Sequence, residues 1–274
     1  MSEWSSRGIA DAWLRMAEAR NRMMAAATER MFERAGMRPG ARVLDLGTGT
    51  GDTALMLASR VGPGGSVVAT DVSPGMVEAA SKAVQTAGLQ TVTVRAMDAQ
   101  RIDLVAESFD AVVARNVLMF APDLPSALAG VHRVLRPGGR LAAVVWAALE
   151  ENPFNAVPIA AVREGGWMPA RTPEVVRAFS LSDAAALGAS LRAAGFTRVE
   201  VERVPGRREF ASVEEAVAHL REPLYRELMA EVPDRDRPAL LARIEASYRA
   251  CAQAAPSGRG CSFPMVSLVA SGER

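Results

Sequence analysis

Lysine is almost missing from this chain. Lys82 is the only one, and nearly all of the positive charge is arginine. A Schiff-base lysine or a P-loop lysine would have to be Lys82, which lies in a helical, alanine-rich segment, so both chemistries are set aside. Histidine is as scarce, with His132 and His219 alone. Cys251 and Cys261 are the only cysteines, too few and wrongly spaced for a zinc cluster, and no metal is expected. Long apolar runs are absent too: the longest, Leu141 to Leu149, is far too short to span a bilayer. The formal charge is only +1 with acids and bases interspersed, which offers no basic stripe for nucleic acid and no polybasic membrane anchor. Glu3 and Trp4 stand where a secretory leader would carry its basic region and apolar core. The expectation is a soluble, cytoplasmic protein with free thiols.

What is present is apolar bulk and one glycine-rich stretch. At 274 residues and 49% apolar composition, the chain can bury a full core. The run Val43-Leu44-Asp45-Leu46-Gly47-Thr48-Gly49-Thr50-Gly51-Asp52 reads as strand, tight turn and helix start. Glycines let the backbone turn sharply and approach a ligand, since no Cβ intervenes. The helix start offers free N–H groups to an electron-rich ligand group. The dinucleotide fingerprint G-x-G-x-x-G fits in neither register, because the third glycine would fall at Asp52 or Ala54.

In chain order, residues 1–36 show a helical apolar stripe (Trp13, Leu14, Ala17, Met23, Met24, Ala27, Met31, Phe32). The stripe reads as core packing, or as a lid in which Trp13 and the Arg20/Arg22 region close over a cleft. Strands are expected at 43–46, 66–70, 91–95, 109–114 and 140–146, alternating with helices. Ser73-Pro74 is a helix start with a capping serine and proline at the first helical position, and Arg136-Pro137-Gly138-Gly139 ends another helix. Ser182 caps a helix ending at Gly195, residues 197–204 form a sixth strand, and Ser212-Val213-Glu214-Glu215 is a capping box. A further helix begins near Pro238 and runs through Leu241, Ile244 and Tyr248, and residues 263–270 form a terminal strand. Strand–helix alternation of this length predicts an α/β fold: a doubly wound, mostly parallel seven-stranded sheet with a helical N-terminal segment and helical cap insertions. The expected division is 1–36 N-terminal helical lid, 37–147 core, 148–176 insertion, 177–204 core continuation, 205–261 helical cap and 262–274 terminal core strand.

Residues 41–147 resemble the core of the class I S-adenosylmethionine (SAM) methyltransferases, particularly the branch that includes the ubiquinone/menaquinone-biosynthesis methyltransferases. The resemblance is carried by residues 43–52, 67–76, 96–99, 109–120 and 135–146 with its Leu-Arg-Pro-Gly-Gly lead-in. It implies a Rossmann-like fold, SAM as cofactor and S-adenosylhomocysteine (SAH) as product. Gly47, Thr48 and Gly49 would form the cofactor loop, with Asp45 ordering it or holding the methionine ammonium. Asp71, 22 residues past Gly49, would accept the ribose hydroxyls, with Val72 beside it. Met76 would pack on the adenine or in the core, and Asp98 would take the adenine amino group with Ala99 offering its backbone N–H. Arg115 and Asn116 would lie at the methionine end, chiefly through backbone carbonyls, with Arg115 a candidate carboxylate ligand.

Methyl transfer is an in-line displacement in which proximity and orientation can supply most of the acceleration. A side-chain base is required only when the acceptor must lose a proton. Candidates are His219, Tyr225 and Tyr248 in the expected cap; His132 reads as structural, and nothing nearby would activate Cys251. The expected activity is methylation of a small apolar or aromatic metabolite. Alternatives are non-methylating chemistry on the same cofactor site, such as cyclisation, and an NAD(P) dehydrogenase. The last is disfavoured by the glycine register and by Glu78, not tyrosine, four residues before Lys82. No nucleic-acid partner is expected; acceptor atom and oligomeric state are open.

Overall fold

A computed structural model of the chain describes residues 13–274. The elements run α1 (Ala17–Ala35), β1 (Arg42–Leu46), α2 (Asp52–Val61), β2 (Ser66–Asp71), α3 (Pro74–Thr86), β3 (Val92–Ala96) and β4 (Phe109–Arg115). They continue with α4 (Leu124–Val134), β5 (Leu135–Trp146), α5 (Pro153–Glu164), α6 (Glu174–Arg177), α7 (Ala184–Ala193) and β6 (Thr197–Phe210). Last come α8 (Val213–Ala218), α9 (Pro223–Arg226), α10 (Arg237–Cys251), β7 (Gln253–Ala254) and β8 (Cys261–Glu273). The part of the expected N-terminal helix before Trp13 lies outside the described residues.

The sheet order is β3-β2-β1-β4-β5-β8-β6, with the short β7 beside β8. The first five strands are parallel, and β8 lies antiparallel between β5 and β6. This is the expected doubly wound fold. Strand parity explains why both faces must be covered. Val43, Val113 and Val144 join Met24, Met31, Phe32 and Leu57 of α1 and α2 on one face. Leu44, Val112 and Val145 join Leu128 and Val131 of α4 and Leu187 and Leu191 of α7 on the other. No helix among the described residues is long and apolar enough to cross a membrane.

Local signals act largely as expected. Ser73 caps α3 by accepting from the Met76 amide, with Pro74 at the first position. Ser212 Oγ accepts from the Glu215 amide at 3.2 Å, and Glu215 reaches back to the Ala211 amide. Asp183, not Ser182, caps α7, because its carboxylate accepts from both Ala185 and Ala186. The Pro-Gly-Gly turn lies inside β5 rather than before it. Leu135 already pairs with Phe109, and the register then jumps to Ala111–Arg140, so Arg136–Gly139 loops out as a bulge.

The largest departure is at the other end of the sheet. β6 and β8 are longer than expected, and pair from Val204–Ser267 through to Phe210–Cys261. Ser267 also pairs with Trp146, the last residue of β5. The ribbon beyond that point therefore overhangs the carboxyl edge of the parallel strands by six residues, about 20 Å. Pro205, Gly206 and Pro264 read as turn signals in sequence. Pro205 and Gly206 are tolerated because β6 is the sheet's edge, and Pro264 because it lies on β8 beyond Ser267, the last residue paired with β5, where a missing N–H breaks no ladder to that strand. A third apolar cluster is built against this overhang from α5, α8 and α10, with Phe154, Ile159, Leu240, Ile244 and Tyr248 packed on Phe263.

Candidate active site

The strand order reverses beside β1, whose neighbours are β2 and β4. A crevice therefore opens outside the carboxyl ends of these strands. Into it run the glycine loop, Asp71 and Val72, Asp98 and Ala99, and Arg115 and Asn116, each from the end of a different strand. Topology thus brings together residues spread over 72 positions of sequence, from Asp45 to Asn116.

The loop has the positive φ values that glycine permits, +69° at Gly47, +57° at Gly49 and +92° at Gly51. Gly47 is glycine for space as well, since a Cβ there would stand 1.8 Å from Val117 Cγ2. At Gly49 a Cβ would meet nothing within 4 Å, so it would project into the crevice itself. The Thr48 amide donates to the Thr70 carbonyl at 2.7 Å, which staples the loop to β2.

Asp71 ties the loop to the next strand. Oδ2 accepts from the Gly49 amide and Oδ1 from the Ser73 amide, both at 2.9 Å. A carboxylate has about four acceptor positions, so lone pairs remain for two hydroxyls. Burial raises its pKa, and the backbone amides of Ser73, Gly49 and Val72 oppose that shift. Val72 is 55% exposed, a large apolar side chain held in solvent beside this acid. Met76 is buried. Asp98 forms a turn with Gln100, accepting from its amide at 2.9 Å and from its side chain at 3.2 Å.

The other end of the crevice is charged and dry. Asp45 is 1% exposed and its Oδ2 has no hydrogen-bond partner; buried Thr48 Oγ1 and Asn116 Oδ1 are likewise unpaired among the described residues. Burial pushes the Asp45 carboxyl up to about 7, with the adjacent Thr48 side chain and the Arg115 guanidinium pulling the other way. Arg115 is itself lowered, by burial and by neighbouring Arg20. Its guanidinium donates to Asn21 Oδ1 at 3.1 Å and Thr28 Oγ1 at 3.3 Å, and lies 3.8 Å from Asp52. Asn116 adopts φ +57°.

Sequence reasoning gave Arg20 only a place in a lid. In the structure it reaches the loop itself: Nη2 donates to Thr50 Oγ1 at 3.0 Å and to Asp52, and Nη1 to the Trp13 carbonyl at 3.0 Å. Its guanidinium stacks 4.7 Å from the Trp13 ring. The signal was legible, because Arg20 shares the helical stripe of Met24, Ala27 and Met31, where an arginine has no reason to be unless it has a partner. Arg22, by contrast, is exposed and pairs with Glu18 on the same helix.

The three candidate bases lie together in the third apolar cluster. The His219 ring is half-buried, accepts from Arg208 and is held neutral, its pKa pushed down to about 3 by desolvation and by Arg208. The Tyr225 hydroxyl is raised to about 12 by burial. Tyr248 is raised further for the same reason, and its hydroxyl donates to the Phe154 carbonyl at 2.7 Å. None is poised to take a proton near neutral pH in this arrangement. His132 lies on the far side of the sheet, edge-on to Phe196. Both cysteines are free, and burial raises both thiols. No group of three or more His, Cys, Asp or Glu that could hold a metal occurs among the described residues.

The methyltransferase-domain family profile matches residues 43–139, which run from the first residues of β1 to the bulge of β5. The core is a class I SAM-dependent methyltransferase domain. The chain is 36% identical over 181 residues to the nocamycin O-methyltransferase of Saccharothrix syringae, covering 62% of this chain and 64% of that one. It is 40% identical over 103 residues to the aklanonic acid methyltransferase of Streptomyces sp. strain C5, covering 38% and 47%. A ubiquinone/menaquinone biosynthesis C-methyltransferase of Bordetella parapertussis is 36% identical over 126 residues, covering 44% and 48%. The chain thus spans about half to just under two thirds of the length of these relatives. Among solved structures, the YcgJ protein of Bacillus superposes with a TM-score of 0.61 at 19% identity, over 90% of this chain and 97% of that one. The [4+2]-cyclase SpnF gives 0.55 at 23% identity, over 90% and 80%. These last two likenesses are of fold alone.

SAM is the cofactor of such a domain, and the crevice fits it on its own terms. A ribose has two hydroxyls for the free lone pairs of Asp71. An exposed Val72 suits a purine face. The unpaired Asp45 oxygen, buried on the neighbouring strand β1, suits an ammonium.

Proposed function

We propose that the chain is a SAM-dependent methyltransferase acting on a small-molecule acceptor of apolar or aromatic character. The single observation that carries this reading is the presence of orphaned Asp45 and loop-fixing Asp71 on neighbouring strands of one glycine-lined crevice. When bound, SAM supplies an electrophilic methyl group on a sulfonium sulfur. Asp71 binds the ribose, Val72 covers the adenine, and Asp98 with the Ala99 amide reads the adenine edge. Asp45 holds the ammonium, while Arg115, Asn116 and Arg20 close the methionine end. With α1 across that end, water is kept from the reacting centre, and the acceptor is oriented for in-line attack.

The acceptor side is built from the ribbon and the helices packed on it. Its apolar lining supports an apolar or aromatic acceptor, and the names of the similar nocamycin, aklanonic acid and ubiquinone/menaquinone-biosynthesis methyltransferases support a small-molecule one. The neutral His219 and high-pKa tyrosines favour an acceptor that loses its proton without a strong protein base.

The test is calorimetric titration of SAM and SAH, followed by transfer of deuterated methyl from labelled SAM to a panel of phenols, acids, quinones and amines. Micromolar binding and a labelled product with stoichiometric SAH are expected. Product formed without SAH would instead support the cyclase-like alternative, and absence of SAM binding would sink the reading.

A further inference from the structure

Arg208 sits at the inward parity of the ribbon, with Val204, Gly206 and Phe210. Its guanidinium lies 4.1 Å from the Phe154 ring centroid and 5.4 Å from that of Phe210. Nη2 is 2.5 Å from His219 Nε2. Arginine has no lone pair with which to accept, so His219 accepts there and carries its own proton on Nδ1. No carboxylate of the described residues lies within ion-pair range of Arg208. Nearby, the Tyr225 side chain is fully buried and its hydroxyl has no hydrogen-bond partner. Its ring centroid is 6.3 Å from that of His219.

A guanidinium in an aromatic pocket loses hydration, and ring faces return only part of it. The planar fork keeps free N–H donors that match a carboxylate in two parallel bonds. Arg208 shares its pocket with Met23 of α1, Trp146 at the end of β5, and Met265. The lining therefore runs from Arg208 to Trp146, two positions beyond Val144, the β5 partner of Arg115. Along β8, Arg208 pairs with Phe263 and Trp146 with Ser267. Four residues separate the two levels, about 13 Å.

We propose that Arg208 is the anion-recognition residue of the acceptor pocket, and that the acceptor is an elongated aromatic acid. Its carboxylate docks on Arg208 and the Tyr225 hydroxyl, and the atom to be methylated lies at the Trp146 end. This rests on the methyltransferase reading above. A single cation flanked by rings suits a planar monoanion better than a phosphate, which would call for more donors. The cavity is narrow, about 10 Å³, room for one water. Entry of a ring therefore requires α1, which supplies Met23, to move outward.

The experiment uses the full chain saturated with SAH. Benzoate, 2-naphthoate and 2-anthracenecarboxylate are titrated calorimetrically, each beside its carboxamide. At least one acid is expected to bind tenfold or more tightly than its amide, about 1.4 kcal/mol. Arg208→Met brings that ratio to within about twofold, and Arg208→Lys, which keeps the charge but not the fork, lowers it by roughly threefold. SAH affinity stays unchanged in both variants. Should Arg208→Met fail to fold, Arg208→Lys decides. Equal affinity for acid and amide, no acid binding tighter than about 1 mM, or a ratio that survives the substitutions overturns the proposal. An arginine that only packs would lower the melting temperature without moving the ratio. Failure of the wild type to bind SAH strikes the methyltransferase reading instead.

Discussion

The Gly49 amide donates to Asp71 Oδ2 at 2.9 Å, across the gap between the glycine loop and the end of β2. The acid proposed to hold a ribose is thus also the acid that shapes the loop. In Asp71→Asn, the amide nitrogen faces either the Gly49 or the Ser73 N–H and leaves it unsatisfied. SAM affinity is expected to fall tenfold or more. Stability is expected to fall by about 1–3 kcal/mol, several degrees of melting temperature at this size. Calorimetry and thermal unfolding check both, and a variant with wild-type affinity contradicts the assignment.

Two neighbouring glycines are expected to behave differently. Gly47→Ala drives a Cβ into Val117 at 1.8 Å and at φ +69°, so it destabilises the fold by several kcal/mol. Gly49→Ala meets no atom within 4 Å and carries only the left-handed backbone cost, about 1–2 kcal/mol. Its methyl group fills cofactor space, so SAM affinity falls while the protein stays folded. Parallel melting curves and titrations separate the two. Equal melting temperatures would contradict the packing argument.

Asp45 makes the cofactor-free protein pH-sensitive. Burial raises its carboxyl from 3.8 to about 7, so the folded state holds this proton more tightly than the unfolded chain. Its contribution is full below pH ~4 and is lost as pH rises through about 7, an amount of order a few kcal/mol. Asp45→Asn is expected to flatten that part of the stability profile between pH 4 and 8. An ammonium beside Asp45 favours the ionised form, so SAM affinity rises with pH and levels off above about 7. A pH-independent SAM affinity would remove the ammonium from this site.

Arg20 couples α1 to the loop. Both it and Asp52 are 13% exposed, so the pair is less screened than a surface bridge. Arg20→Ala is expected to speed SAM dissociation more than it slows association, by roughly tenfold. The cost in stability is about 1–3 kcal/mol, typical of hydrogen bonds to charged groups. A double-mutant cycle with Asp52→Asn, read by stopped-flow displacement, checks the coupling; additive effects would disconnect α1 from the cofactor.

The cofactor half was legible in sequence because its signals are local. Glycine spacing, a strand-end acid and the Ser73-Pro74 start each declare themselves within a few residues, and parallel pairing then aligns them without further information. The acceptor half was not. Pro205, Gly206 and Pro264 carry turn chemistry, and only the pairing of residues about 60 apart shows that they continue two strands. Arg208 looks like a surface charge until that register places it beside Phe154. The base candidates had the same difficulty. His219 reads as an exposed helical histidine, and its neutral, half-buried state follows from residues on α5 and β6 that no local window contains.

The overhanging ribbon has a consequence for how this protein can diversify. Apart from Arg20 of α1, every residue proposed to grip the cofactor hangs from β1 to β4, whereas Arg208 and most of its aromatic neighbours are carried by β6, β8 and the helices around them. Register between the two halves is kept at the Trp146–Ser267 and Val204–Ser267 pairs. Residues 205–266 can therefore drift, or be exchanged as a cassette between homologues, without disturbing the nucleoside site. Acceptor choice and cofactor use become separately heritable traits of one chain.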